Sequence, residues 1–129
     1  MQIFDIRYGR ASAKQYSAYW AFCILLYIIS VFIDQAVGFP FLQGLVSIIF
    51  FGYGMLAMIM KRIRDIGYDG RYGYAVFGLL IFGAFFGYVD TVLSLFALPA
   101  IFALLAMFVW GGTPGPNDYG DEPQGWVPE

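Results

Sequence analysis

Four long stretches of the chain carry no charged residue, at 15–33, 35–60, 72–89 and 91–117, and the shortest is eighteen residues. A bilayer's hydrocarbon core takes a helix of roughly 20 apolar residues, with about 17 as the lower limit. Each stretch therefore predicts one membrane-spanning helix, at about 19–37, 42–60, 72–86 and 91–110. Tyr16, Tyr19 and Trp20 mark the entry of the first span, because amphipathic rings favour the headgroup level. Pro40 cannot continue a helix and turns the chain between the first two spans. Residues 87–90 make the turn between the last two, and Pro99 predicts a kink inside the fourth. The pattern predicts an all-α membrane protein, a bundle of four transmembrane helices forming a single domain over 1–129, with a tail at 111–129 too polar to be buried.

Charge sets the orientation. Of the seven basic residues, Arg7, Arg10 and Lys14 precede the first span, and Lys61, Arg62, Arg64 and Arg71 fall in 61–71, between the second and third. With four spans the head, this basic turn and the tail share one face, which the positive-inside rule makes cytoplasmic. Both termini are then cytoplasmic. A chain that is 60% hydrophobic and only 12% charged has too few charges to coat a soluble domain of its size,. The run after the basic head is too long for the apolar core of a cleavable signal peptide, and a small-residue cleavage site is not evident.

Candidate chemistry is sparse. The chain has no histidine and one cysteine, Cys23. No disulfide within the chain, no zinc or haem ligand set and no Ser–His or Cys–His pairing can be assembled, so no cofactor, metal or catalytic residue is expected. The segment from Gly111 to Gly115 lacks the Gly-Lys-Ser/Thr ending and the preceding strand of a phosphate loop. Asp34 and Asp90 could serve an ion path as intramembrane acids, but both fall beside turns at the outer interface, the simpler reading. Met55, Met58 and Met60 read as core or lipid-facing filling. Gly78, Gly83 and Gly87 in the third span are candidates for close helix packing, the last two as a GxxxG pair.

The remaining candidates lie on the cytoplasmic face: Arg10, Lys14, Lys61, Arg62, Arg64 and Asp65 of the head and basic turn, and Asn117, Asp118 and Tyr119 of the tail. The cations are expected to attract anionic headgroups, each worth roughly 1 kcal/mol near an anionic leaflet. The tail holds Asp118, Asp121, Glu122 and Glu129 and no basic residue. Its prolines restrict the backbone, so residues 112–123 are expected to fold back under the bundle, with Arg62 or Arg64 pairing to Asp118 or Asp121.

Three segments resemble the domain-of-unknown-function family 805, a family of small bacterial inner-membrane proteins. Its Gly-Arg start, basic residue and aromatic pair are matched by Gly9-Arg10, Lys14, Tyr16 and Tyr19-Trp20, with looser spacing. Its Arg-Arg-Leu-His-Asp-x-Gly-x-Ser-Gly-Trp turn is matched by Lys61-Arg62-Ile63-Arg64-Asp65-Ile66-Gly67-Tyr68-Asp69-Gly70-Arg71. Its Gly-x-x-Gly-x-Asn-x-Tyr/Phe-Gly-x-x-Pro segment is matched most closely, by Gly112, Gly115, Asn117, Tyr119, Gly120 and Pro123. Arg64 stands where the family usually has histidine, and Arg71-Tyr72 where it has a tryptophan pair, so a role needing a titratable imidazole is absent here. The resemblance implies a polytopic inner-membrane protein and brings no settled activity.

The expected role is that of a small structural or accessory protein, not an enzyme, packing with lipid, with further copies of itself or with a larger membrane complex. A small transporter or channel component is the alternative, disfavoured because transport paths usually need central ionisable groups. No nucleic-acid partner is expected. In a Cys23→Ala background, single cysteines at Gly38 and Tyr88 should react with a membrane-impermeant maleimide in intact cells. A cysteine at Gly125 should react only after lysis, and its labelling in intact cells would mean an odd number of spans.

Overall fold

The computed structural model describes residues 6–123; the tail's Gly125 and Glu129 lie outside the described residues. Four helices follow one another: α1 (Ala13–Val37), α2 (Phe41–Ile66), α3 (Tyr72–Phe86) and α4 (Thr91–Val109). They pack as two antiparallel hairpins, α1 with α2 and α3 with α4, and no strand occurs among the described residues. This is an all-α bundle of a membrane protein. Three of the helices, α1, α2 and α4, are long and apolar enough to cross a bilayer.

Local chemistry explains each boundary. α1 begins six residues before its expected span because Ser12 and Gln15 form a capping box. Ser12 Oγ accepts from the Gln15 N–H at 3.1 Å, and Gln15 Oε1 accepts from the Ser12 N–H at 3.1 Å,. It stops at Gly38, whose φ of 87° lies in the left-handed region. Pro40 precedes α2 and offers no side-chain cap. Asp34 supplies one from the end of α1: its two carboxylate oxygens accept from the N–H groups of Leu42 at 3.0 Å and Gln43 at 2.8 Å. A carboxylate at a helix N-terminus also meets the positive end of the helix dipole. Asp34 does lie at the inter-helix turn, but it is buried as a cap rather than open to the outer interface. Asp90 does the same for α4, accepting from the Val92 N–H at 3.0 Å on an exposed turn.

The middle of α2, Ser47–Gly54, winds as a π-helix. Across it Tyr19 packs from α1, its hydroxyl donating to the Phe50 carbonyl at 2.8 Å. In α4 the turn just before Pro99, Leu95–Ala97, tightens to a 3-10 helix before the α-helix resumes at Leu98. The expected irregularity at Pro99 takes that form, since proline cannot donate to the ladder.

The core is concentrated at one end. Tyr16, Tyr19 and Cys23 of α1 meet Met55, Met58, Ile59 and Ile63 of α2 and Leu104 and Met107 of α4. These α1 positions belong to a stripe that continues through Ser30 to Asp34 at helical spacing. At the opposite end only a few side chains such as Asp34 and Val46 are buried, and Tyr88 is 91% exposed. α3 has 15 residues, which at ~1.5 Å per residue is about 22 Å, short of the ~30 Å hydrocarbon core. The α3–α4 hairpin is thus built from shorter helices than the α1–α2 hairpin, whose members have 25 and 26 residues.

Two of the three glycines expected to pack do lie against α4. A Cβ at Gly83 would come within 2.5 Å of Ala97 Cβ, and one at Gly87 within 2.9 Å of Ser94 Cβ. Gly78 is a correction: it is exposed, and a Cβ there would meet nothing within 4 Å, because it lies on the face of α3 turned away from α4. Gly73, not singled out in the sequence, makes a close approach instead, to Met60 of α2. Gly83→Leu and Gly87→Leu should each lower the melting temperature in detergent, by overpacking worth about 1–3 kcal/mol. Gly78→Leu should leave melting unchanged, and equal melting for all three variants would refute this packing.

Candidate functional site

The charged stretch 61–71 is mostly helix. α2 continues past the expected boundary at 60 through Lys61, Arg62, Arg64 and Asp65 to Ile66, and only 67–71 form the turn. Gly67 stops the helix with φ of 113°. Its N–H donates to the Arg64 carbonyl at 3.1 Å, and the Tyr68 N–H to the Ile63 carbonyl at 3.1 Å. This pair of bonds is the Schellman arrangement, which favours glycine at that position.

A helix leaves its last four carbonyls without partners in its own ladder. The Schellman bonds serve Ile63 and Arg64, and the tail serves the others. The Thr113 N–H donates to the Asp65 carbonyl at 2.7 Å, and Thr113 Oγ1 to that of Ile66 at 3.2 Å. Asn117 Nδ2 adds a bond to the Arg64 carbonyl at 3.0 Å. Gly112 lets the tail come this close, since a Cβ there would overlap the Asp65 carboxylate. The tail that follows α4 is therefore the C-terminal cap of α2.

The exchange runs in both directions. Arg62, fully buried at 0% exposure, reaches from α2 to the end of α4. Its Nε donates to the Met107 carbonyl at 2.9 Å and its Nη2 to that of Trp110. A guanidinium at a helix C-terminus is favoured by the dipole as well as by the hydrogen bonds. Arg62 Nη1 also pairs with Asp65 Oδ2 at 2.5 Å, one turn along α2. The other Asp65 oxygen, Oδ1, takes Arg10 Nε at 3.1 Å and Nη2 at 3.0 Å. One buried carboxylate is thus shared by two arginines.

Arg10 carries the network into the tail. Its Nη1 donates to the carbonyls of Gly115 at 2.7 Å and Gly120 at 3.0 Å, and its Nη2 to that of Thr113 at 2.6 Å. The loop it grips is itself closed by paired backbone bonds between Asn117 and Gly120, at 3.0 and 3.2 Å. The Tyr119 N–H donates to Asn117 Oδ1 at 2.8 Å. Lys61 and Arg64 hold the head. Lys61 Nζ donates to the Tyr8 carbonyl at 2.8 Å, and Arg64 to the carbonyls of Gly9 and Ile6. Head, end of α2, end of α4 and tail together make a polar floor under the apolar core.

The structure thus brings together Arg10, Lys61, Arg62, Arg64, Asp65 and Asn117, and it corrects two expectations about them. The tail folds back, but not through its acids: Asp118 and Asp121 face outward, because Asp65 already serves Arg62 and backbone carbonyls serve Arg64. Nor are Arg10, Lys61, Arg62 and Arg64 displayed to headgroups, since all four are buried. Lys14 is exposed on the first turn of α1, and Tyr119 is half-buried at the rim of the floor. Thr113 was not anticipated, and Tyr16, expected as a ring at headgroup level, is buried in the core. The Tyr16 hydroxyl donates to the Leu104 carbonyl of α4 at 3.2 Å. One sequence signal did point at the floor: an acid three residues after an arginine, inside a basic run, has the spacing of a helical ion pair.

Across residues 4–121 the chain matches the family model described as "Protein of unknown function (DUF805)". The chain belongs to this family. No curated protein and no solved structure matches it. In this DUF805 chain the head and the tail, far apart in sequence, meet on the end of α2 through Arg10 and Asp65.

Removing one partner of a buried ion pair leaves a buried charge uncompensated and costs about 3–5 kcal/mol. Asp65→Asn strands parts of both Arg10 and Arg62, so it should lower the melting temperature sharply and expose Tyr119 to cleavage by chymotrypsin. Asp118→Arg, at an exposed position without an ion pair in the floor, should change neither reading. Faster cleavage in Asp118→Arg than in Asp65→Asn would reverse the roles assigned to the two acids.

Proposed function

We propose that this protein is a four-span inner-membrane protein with both termini in the cytoplasm, acting as a non-catalytic accessory subunit that displays a fixed loop to a larger membrane complex. The observation that carries this reading is the use of Arg10, Arg62 and Asp65. They are spent on backbone carbonyls and on one another, holding 113–120 in one shape. Asp118 then projects from a backbone tied at both ends, with Asp121 exposed just beyond it, while Glu122 turns back to accept from the Gly115 N–H at 3.0 Å. Preorganisation of this kind lowers the ordering cost of association. A solvated tail would gain nothing from so many buried donors.

The burial of cations at one end of the helices also supports the cytoplasmic assignment, with Lys14 and Arg71 left exposed to attract anionic headgroups,. A transport path has less support. Asp34, the acid buried among the helices away from the floor, has both oxygens engaged by the backbone of α2.

The test is purification from native membranes in mild detergent, followed by identification of co-eluting proteins. The wild type should bring down a partner that Asp118→Lys/Asp121→Lys loses by about tenfold, through reversed charges at the contact. The double variant should keep the wild-type melting temperature. Equal recovery of every co-eluting protein by the two forms would sink the proposal.

A further inference from the structure

An apolar groove of about 360 Å³ lies beside the floor, lined by Ile63 and Ile66 of α2, Tyr72 of α3, and Ala106, Met107 and Trp110 at the end of α4. Its size falls within the ~300–1,000 Å³ of small-molecule sites. The wall is almost wholly hydrocarbon and aromatic, and the groove is open rather than enclosed. Tyr72 also lines a second hollow, shared with Asp69, Arg71 and Ala75. One tyrosine thus lines both hollows, the second of which carries the polar groups of Asp69 and Arg71 on a largely apolar wall.

Arg71 dominates the second hollow, its side chain 83% exposed. Its Nε and Nη2 donate to Asp69 Oδ2 at 3.0 and 2.7 Å. Those bonds, with the Arg71 backbone N–H, hold the Asp69 carboxyl below the usual carboxylate range. A guanidinium has five N–H donors, so Nη1 still offers two to an incoming anion. The carboxylate aims the guanidinium without consuming it.

We infer that this two-lobed hollow binds one membrane phospholipid, an acyl chain lying in the groove against Ala106 and Trp110 and the headgroup phosphate on Arg71. Three observations converge on that occupant. The groove sits at the end of two long apolar helices, where Tyr68, Tyr72 and Trp110 form a belt of the kind found at headgroup level,. An apolar groove beside such a belt complements the acyl chain of a lipid whose headgroup lies at that level. The cation stands on the headgroup side of Tyr72, which complements a phosphate attached to such a chain,. Of the cations first expected to meet headgroups, Arg10, Lys61, Arg62 and Arg64 are buried in the floor. Lys14 and Arg71 stand outside it, and Arg71 is the one beside the groove. The inference holds whether or not a protein partner engages the tail loop.

The full chain, delipidated in detergent, is titrated with dioleoyl phosphatidylglycerol and the retained lipid counted by native mass spectrometry. One lipid should bind ahead of all others. Ala106→Phe fills the groove and should weaken that first binding by about tenfold, while Arg71→Ala at the exposed site should weaken it severalfold. Dioleoylglycerol, which lacks the phosphate and carries no charge, should bind the wild type and Arg71→Ala equally. Adducts that follow simple statistics with no tight first lipid would overturn the site. So would wild-type affinity in Ala106→Phe that retains its helical circular dichroism. Wild-type lipid affinity in Arg71→Ala, whose substitution lies at the surface, would overturn the headgroup assignment.

Discussion

The structure depends on one constraint, that helix carbonyls ending near a membrane must be satisfied by the protein itself. α2 and α4 end side by side, and each satisfies the other. Arg62, a side chain of α2, takes the terminal carbonyls of α4, and Thr113 and Asn117, beyond α4, take those of α2. The exchange explains why the core collects at this end. Tyr16, Met58, Ile63 and Met107 pack where the backbones are locked together, whereas the distal halves of the helices have only side-chain contacts and capped turns to hold them.

Asp65 is what makes the exchange compatible with so many buried cations. Two guanidiniums divide its two oxygens, so neither arginine is left without a counter-charge. Buried pairs are weak evidence for stability in general, because desolvation offsets their attraction. Their value here is geometric. Arginine's planar fork can hold several carbonyls at once, as Arg10 does with Thr113, Gly115 and Gly120, which a lysine ammonium could not do in the same plane,. The family's usual histidine position illustrates the same point. Arg64 extends across to the head, and Gly70 gives its guanidinium room, since a Cβ there would lie 2.5 Å from Arg64 Nε.

Much of the fold was legible because lipid leaves few choices. Charge-free length announced the helices, Pro40 and Gly67 marked ends, and Pro99 marked an irregularity. The site was legible as a set of residues and misread as a surface. Charge suggests exposure, and although the Arg62–Asp65 spacing suits a helical ion pair, nothing in the run from Lys61 to Asp65 says that those side chains turn inward,. That depends on carbonyls some fifty residues away, at Gly9, Met107 and Trp110, which carry no signal in residue identity. The glycines show the same limit. Gly83 and Gly78 are alike in sequence and differ only in whether α4 lies across them. Asp34 likewise becomes a cap only because the chain reverses within reach of Leu42 and Gln43.

The capping of α2 by residues beyond α4 also sets an order for biogenesis. A ribosome delivers Ile66 well before Thr113, so α2 is made with the carbonyls of Asp65 and Ile66 still lacking their partners from the tail. The tail can close over them only after Thr113 has been made. The end of the bundle that carries the floor therefore cannot become native until the segment beyond α4 is made. A nascent chain halted before Thr113 holds α1, α2, α3 and α4 with only Arg62's half of the exchange between α2 and α4.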